Sequence, residues 1–442
     1  MRDRRAQIAG RVVWASRPLP AATTRWLAVT IMRHAGTATA SAMIRRGQLT
    51  SALFALLLAV WPASGPTYAQ SGSGSDSASA SDWTGPLLPG PAMAIFTPSS
   101  GALLVRASDG LYRSDDAGQT FRPIALPPAP RPVDRVISVD PTNQDVLYAG
   151  GNELLYQSTN GGSTWQPILP MASHPGFEAV ALAISPANPS IVYAALVDAA
   201  SRDTFLLLGS HDRGASWTTL EMSGPASLCG WGVRLLQAHP TDPMRVFLSS
   251  GCFAGRNFGA SLQQSTDQGK TFNDWWTSAA VGSPLSGYPH SLVGGLGAVP
   301  TRWYLAFNRD PRIGGSAVMR SDDDGSTWTP VLSYDGGGGF GSPGSDPNAW
   351  NIQIAGLADV SSAPDTLYVA RTALSPADQS VQTSGVATST DGGATWSDLD
   401  SQQLGHLADL ALGIDGQNLY LASDQGLFQL SLAAARRPGT RS

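Results

Sequence analysis

The stretch Ser389-Thr390-Asp391-Gly392-Gly393-Ala394-Thr395-Trp396 decides the fold, because the chain repeats it. The pattern S-x-D-x-G-x-T-W stands at Ser114/Asp116/Gly118/Thr120/Phe121, at Ser158/Asn160/Gly162/Thr164/Trp165 and at Ser210/Asp212/Gly214/Ser216/Trp217. It returns at Ser265/Asp267/Gly269/Thr271/Phe272 and at Ser321/Asp323/Gly325/Thr327/Trp328. Successive first serines lie 44, 52, 55, 56 and 68 residues apart. Such a period marks one supersecondary unit copied around a ring or along a stack.

Each motif residue has a local task. The Asp or Asn oxygen accepts backbone N–H groups just ahead of it. The glycine supplies a backbone angle that a Cβ would oppose. Ser and Thr tie the two sides of the turn, and the aromatic residue opens the next strand and packs on the sheet. Asn160 keeps the acceptor oxygen without the charge, so the turn reads as structural rather than catalytic. On these residues the chain resembles the Asp-box, or BNR, β-propellers over roughly 83–432. That group includes bacterial sialidases, xyloglucanase-type glycosidases, sortilin-type receptor domains and the photosystem II assembly factor family.

A second repeat lies between the motifs: an apolar strand, a turn, then a strand centred on an aromatic residue. Examples are Val136–Pro141 with Val146–Ala149, Val180–Pro186 with Ile191–Ala194, and Ile352–Val360 with Leu367–Val369. A copy without a motif, Leu407–Ile414 with Leu419–Leu421, ends the series, and Ala92–Phe96 with Leu103–Val105 begins it. That gives seven units and six motifs. The last unit lacks an outer strand, and Trp83–Leu88 lacks a partner. The expected fold is therefore all-β: a single seven-bladed β-propeller of four-stranded antiparallel blades. The N-terminal strand completes the last blade, which leaves only short edges.

Outside 83–432 the sequence changes character. Residues 1–69 hold nine arginines and one acid, Asp3, and Arg45-Arg46 precede an apolar run from Leu53 to Trp61. Thr67-Tyr68-Ala69 then offers a small-residue cleavage site, the layout of a signal peptide. Met43 fits the true start. Residues 70–82 are Ser/Gly/Asp/Ala-rich and read as a flexible linker, and 433–442 as a disordered tail. The expected location is secreted, periplasmic or cell envelope, with no stable membrane span after cleavage. Residues 70–442 carry 19 basic against 32 acidic side chains, a net charge of −13. That balance disfavours nucleic acid as a partner. Cys229 and Cys252, an even pair in an exported chain, are expected to form a disulfide.

The motif turns occupy one face of a propeller, and the loops between blades and between second and third strands occupy the other. Here the latter are uneven and mostly long, at 197–204, 222–232, 250–258, 274–294, 308–315, 333–350 and 371–384. Long loops on a rigid scaffold are where function concentrates. They carry Trp231, Arg256, Trp275, Trp276, Tyr288, His290, Arg309, Asp310, Arg312, Tyr334, Phe340 and Trp350. Aromatic platforms beside Arg and Asp suit a sugar or a peptide. Asp134, Glu178, Arg234, Asn351 and His406 fall near the starts of inner strands and are candidates to ring the channel. The Gly336–Gly341 run lacks the Lys-Ser/Thr ending of a phosphate loop, and no histidine or cysteine spacing suggests a metal. No cofactor is expected.

The resemblance raises a sialidase-like glycosidase. That family's F/Y-R-I-P segment is absent, since Phe121-Arg122-Pro123-Ile124 has the letters in another order. With three glutamates in all, only Glu178 and Glu221 suit its Tyr/Glu pair, and no catalytic residue carries over. Xyloglucanase-type enzymes cut between two propellers, and this chain has residues for one. The expectation is thus a non-catalytic docking module for a protein, peptide or glycan, with a sialidase-like glycoside hydrolase as the alternative. A purely structural surface domain fits the long loops less well.

Overall fold

The structure, a computed structural model, describes residues 83–99, 101–128, 136–201, 204–220, 233, 235–251, 260–277, 287–296, 298–309, 316–334, 351–360, 362–375, 378–413 and 416–432. Strand β1 (Trp83–Pro89) leads into blade 1, which runs from β2 (Ala92–Phe96) to β5 (Arg122–Ile124). Blade 2 runs from β6 (Ile137–Asp140) to β9 (Gln166–Leu169), and blade 3 from β10 (Phe177–Ile184) to β13 (Thr218–Leu220). Blade 4 spans β14 (Leu235–Ala238) to β17 (Asn273–Thr277), and blade 5 β18 (Gly287–Gly294) to β21 (Thr329–Tyr334). Blade 6 spans β22 (Asn351–Val360) to β25 (Ser397–Gln402). Blade 7 holds β26 (Leu407–Leu412), β27 (Asn418–Ser423) and β28 (Gly426–Ser431), with β1 as its outer strand. Seven four-stranded antiparallel sheets thus form a closed seven-bladed propeller, as expected.

The second strands show why. Val192–Asp198 reads VYAALVD and is buried at every residue but the last. A continuous apolar run belongs to a strand covered on both faces, and here each face meets a neighbouring blade. Tyr304, Ala306 and Val318 of blade 5, for instance, pack with Ile354, Leu357 and Val369 of blade 6. The region 371–384, expected as a long loop, is mostly strand: Arg371, Thr372 and Ala373 pair with Gly385, Ser384 and Thr383. Its Thr and Val residues suit an extended backbone, and only 375–380 remain as the connection.

The six motif turns share one hydrogen-bond pattern. In the last, Ser389 Oγ donates to Asp391 Oδ1 (2.8 Å) and accepts from the Gly393 N–H (2.8 Å). Asp391 also accepts from the Thr395 N–H (2.8 Å) and Thr395 Oγ1 (2.6 Å). These donors hold Asp116, Asp212 and Asp391 down to about 2. At Asn160 the amide oxygen accepts from Ser158 Oγ and the Thr164 N–H, and its Nδ2 donates to Thr164 Oγ1 (2.9 Å). The turn survives without charge because one bond reverses direction.

The motif aromatic does more than open a strand: it reaches back to the preceding blade. Trp165 Nε1 donates to the Ala125 carbonyl (2.7 Å), Trp217 to Ile168 (3.2 Å), Trp328 to Trp275 (3.3 Å) and Trp396 to Val331 (2.8 Å). Replacing Trp396 by Phe, the residue at 121 and 272, removes a donor shared by the Val331 carbonyl (2.8 Å) and the Gly393 carbonyl of its own turn (3.1 Å). The expected loss is about 1–2 kcal/mol, read as a lower midpoint of denaturant unfolding with an unchanged slope.

The motif glycines have the positive backbone angle expected of them, and they also serve in packing. Gly118, Gly162, Gly214, Gly269, Gly325 and Gly393 are all buried, and each lies flat against the outer strand of the preceding blade. A Cβ on Gly162 would overlap Ile124 Cγ2 of β5, and one on Gly325 would overlap the Trp275 indole of β17. One on Gly214 would sit 2.7 Å from Ile168, and one on Gly269 2.6 Å from Leu220. At Gly118 the neighbour is Leu87 of β1 (3.2 Å). A bulge puts it there, since Gly85, Pro86 and Leu87 lie between the pairs Thr84↔Gln429 and Leu88↔Leu427. The closing strand therefore fills the same place as every other outer strand. Ser114, Ser158, Ser210, Ser265, Ser321 and Ser389 are buried as well. The motif glycines thus pack blade against blade, while the buried serines close their own turns.

Arginines lock the turn face. Arg113, with a side chain 6% exposed, bonds Asp115 and Asp145 (both 2.7 Å) and so joins blades 1 and 2. Arg320 bonds Asp322 (2.8 Å) and the Gly392 carbonyl (2.8 Å), Arg302 bridges Asp322 and Asp365, and Arg245 holds Asp324 (2.9 Å).

Candidate functional site

The free edges of the inner strands border the channel. Among the described residues, five of these strands carry a bulge at the same level, toward the face opposite the motif turns. The register shifts at Met93 in β2, Val180 in β10, His290 in β18, Ala355 in β22 and Ala408 in β26. Bulges at the rim of a closed sheet re-aim side chains and are frequent beside functional sites. Met93 is 40% exposed at this level.

At two of these bulges the side chain that follows bonds the next blade. Ser291 Oγ accepts the Leu357 N–H (3.2 Å), which ties blade 5 to blade 6. Asp409 Oδ2 accepts the Ile95 N–H (2.8 Å), which ties blade 7 to blade 1. Blade 6 has Gly356 there, and Asp409 Oδ1 takes the Leu410 N–H (2.8 Å) in its place. One carboxylate thus satisfies two inner-edge donors at the closure of the ring. Burial pushes Asp409 up to about 6, against the pull of its two N–H donors. Burial also raises Asp359, at the other end of β22. A carboxyl held near neutrality suits proton donation to a leaving group. Sequence reading missed Asp409; the signal was a lone acid inside the apolar run Leu407-Ala408-Asp409-Leu410-Ala411-Leu412.

The sequence candidates are distributed unevenly. Glu178 is the second residue of β10, half-buried and paired with Val197 across the ladder. His290 is the bulge residue of β18 and half-buried. His406 is exposed just before β26. Trp276 is only 2% exposed and packs on Phe307 (centroids 5.3 Å apart), so its ring belongs to the core. Trp275 likewise stacks among Phe247, Trp303 and Trp328 and donates to the Asp324 carbonyl (2.9 Å). Tyr334 accepts from Arg371 Nη1 (3.0 Å), and Arg371 also pairs with Asp398. Arg309 ends β19 (Trp303–Arg309) and Asn351 opens β22, while Tyr288 lies in β18. Trp231, Arg234, Arg256, Asp310, Arg312, Phe340 and Trp350 lie outside the described residues, as do Asp134, Cys229 and Cys252. Among the described residues no group of three His, Cys, Asp or Glu side chains is placed to hold a metal ion, and no helix is long and apolar enough to cross a membrane.

His239 opposes Asp409 in its response to pH. Its Nδ1 accepts the Thr241 (3.2 Å) and Asp242 (3.1 Å) N–H groups, the place filled by Asp140 in blade 2. Burial, helped by Arg245, pushes it down to about 4. A depressed histidine stabilises the fold above its unfolded value, and that contribution is lost as pH falls from 6.5 toward 4. A raised carboxyl does the reverse: Asp409 adds stability as pH falls from about 6 toward 3.8. His239→Asn keeps an acceptor and removes the titration. Relative to the parent, its unfolding free energy should rise by about 3 kcal/mol between pH 6.5 and 4. Urea unfolding across that range checks this, and parallel curves would sink it.

No family model matches the chain. A xyloglucanase from Paenibacillus sp is 34% identical over 218 residues, which is 44% of this chain and 19% of that protein. A xyloglucanase from Acetivibrio thermocellus is 31% identical over 196 residues, 40% of this chain and 21% of that protein. The chain thus spans about a fifth of the length of the curated relatives it matches. Among solved structures, the GH74 xyloglucanase from Xanthomonas campestris superposes with a TM-score of 0.57 at 18% identity, over 81% of this chain and 55% of that one. An ancestral GH74 enzyme gives 0.50 at 16% identity, over 79% and 46%. At these identities the structures speak for the fold alone.

Proposed function

We propose that this chain is a glycoside hydrolase propeller, or one half of such an enzyme, acting on a xyloglucan-type polysaccharide. The observation that carries the reading is the 34% identity over 218 residues to the Paenibacillus xyloglucanase. The fold alone would not, because propellers host many functions. The docking module expected from the sequence draws no support from relatives named for hydrolysis. On this reading the polysaccharide lies across the bulged channel mouth. Asp409 is the candidate acid, and Glu178, three blades away around the closed ring, is the candidate second carboxylate. Export, the signal peptide and the Cys229–Cys252 bond remain part of this proposal.

The test is release of oligosaccharides from xyloglucan by the full-length chain, produced under oxidising conditions. Asp409→Asn and Glu178→Gln should each lower turnover by about 100-fold or more, the usual contribution of a general acid or base. Binding of xyloglucan without release, by a protein with a normal thermal transition, would return the reading to a docking module.

A further inference from the structure

We infer that the seam between blades 7 and 1 holds a second ligand pocket, on the turn face, built for one neutral hydroxyl-rich ring such as a single sugar residue. The cavity is about 330 Å³, at the small end of ligand sites. Thr97, Gly101, Ala102, Asp115, Asp116 and Tyr420 supply the walls that matter.

The pocket exists because this seam departs from a rule the others obey. In blades 2 to 6 the motif turn is clamped to the first hairpin of its own blade. Gly161 N–H donates to the Asp145 carbonyl, Arg213 to Ser190, Gln268 to Met244, Asp324 to Thr301 and Gly392 to Asp365 (2.8–3.0 Å). Among the described residues blade 1 has no matching bond from Ala117 to Gly101. The side chain is missing too. Where blades 2 and 6 place Asp145 and Asp365, blade 1 has Gly101, and a Cβ there meets no atom within 4 Å. Blade 7 contributes no motif of its own. Tyr420 closes the cleft by donating its hydroxyl to the Ala117 carbonyl (3.0 Å).

The lining selects the ligand class. Asp115 is already bonded to Arg113 (2.7 Å) and lies 3.7 Å from Arg122, so its charge is offset while its oxygens stay open to solvent. Asp116 is fixed by Ser114 and Thr120 (2.6 Å each). Fixed carboxylates and the Thr97 hydroxyl suit the hydroxyls of a pyranose, while Tyr420, only 3% exposed, floors the cleft. Two carboxylates disfavour an anion. The inference rests on the carbohydrate reading above, but on residues remote from the channel mouth.

The test uses the full chain with glucose, xylose, galactose and a xyloglucan oligosaccharide, read by ligand-observed NMR and calorimetry. At least one should saturate with a Kd on the order of 1 mM. Gly101→Asp, which fills the cleft with the residue of blades 2 and 6, and Asp115→Asn should each weaken that binding tenfold or more. Neither should change xyloglucan hydrolysis, and Asp409→Asn should leave the binding intact. Binding unchanged in both pocket variants, binding that never saturates, or displacement of the sugar by calcium chloride would overturn the inference. Saturable binding lost in the pocket variants, from a protein that hydrolyses nothing, would keep this pocket and retire the hydrolase reading.

Discussion

Gly393→Ala is expected to lower the melting temperature of the propeller by about 5 °C, while Gly101→Ala lowers it by a degree or two. Both glycines have backbone angles that favour glycine, φ +91° and +100°. Both substitutions therefore carry the same strain, about 1–2 kcal/mol. They differ in what the new methyl meets. At Gly101 it meets nothing within 4 Å. At Gly393 it stands 2.8 Å from Val331 Cβ and 3.0 Å from Val331 Cγ2. Rotation about χ1 cannot move a Cβ, and the Val331 carbonyl is held by Trp396 Nε1 (2.8 Å). Relief requires moving blade 6 away from blade 5, and overpacking of this kind adds about 1–3 kcal/mol. Calorimetry of the two variants separates the effects. Equal shifts would mean that the blades give way freely and that the motif glycine matters only for its turn.

The two glycines also show where sequence reading stops. The motif identified every turn and its bonds, and the second repeat gave the number of blades, because both depend on residues a few positions apart. It could not show that Trp165, Trp217, Trp328 and Trp396 bond the preceding blade, since that contact joins residues 40 to 65 apart in sequence and depends on how the ring closes. For the same reason it could not show that Gly162 and Gly325 are pressed against Ile124 and Trp275 of the blade before. The site was less legible on similar grounds. Candidates were chosen because they lay between strands, yet Trp275 and Trp276 belong to β17 and pack inward. Asp409 escaped notice because an inner strand reads as apolar core, and only the assembled ring shows that its bulge delivers a carboxylate to the backbone of the next blade.

Starting the chain at Gly90, so that β1 is lost, is expected to unfold the propeller at room temperature or leave it as an aggregating partly folded ring. Trp83 and Leu88 are 7% and 8% exposed, and Leu87 packs under Gly118 of the first motif. Burying three such side chains contributes about 5–8 kcal/mol. The ladder to β28 adds several backbone bonds of about 1 kcal/mol each. That sum is comparable with the whole stability of a typical domain. Deletion would also expose the edge of β28, whose Gly426–Ser431 is largely buried and apolar, and such an edge pairs with other chains. The comparison is a chain starting at Ser81, which keeps β1, followed by thermal melting and light scattering. Because the seam is held without a covalent link, a synthetic peptide of residues 81–91 added to the truncated chain should restore the transition in a saturable way. A truncated chain that melts within two degrees of its longer partner, with no response to the peptide, would show that the ring closes through β26 and β28 alone and that β1 is a decoration on its rim.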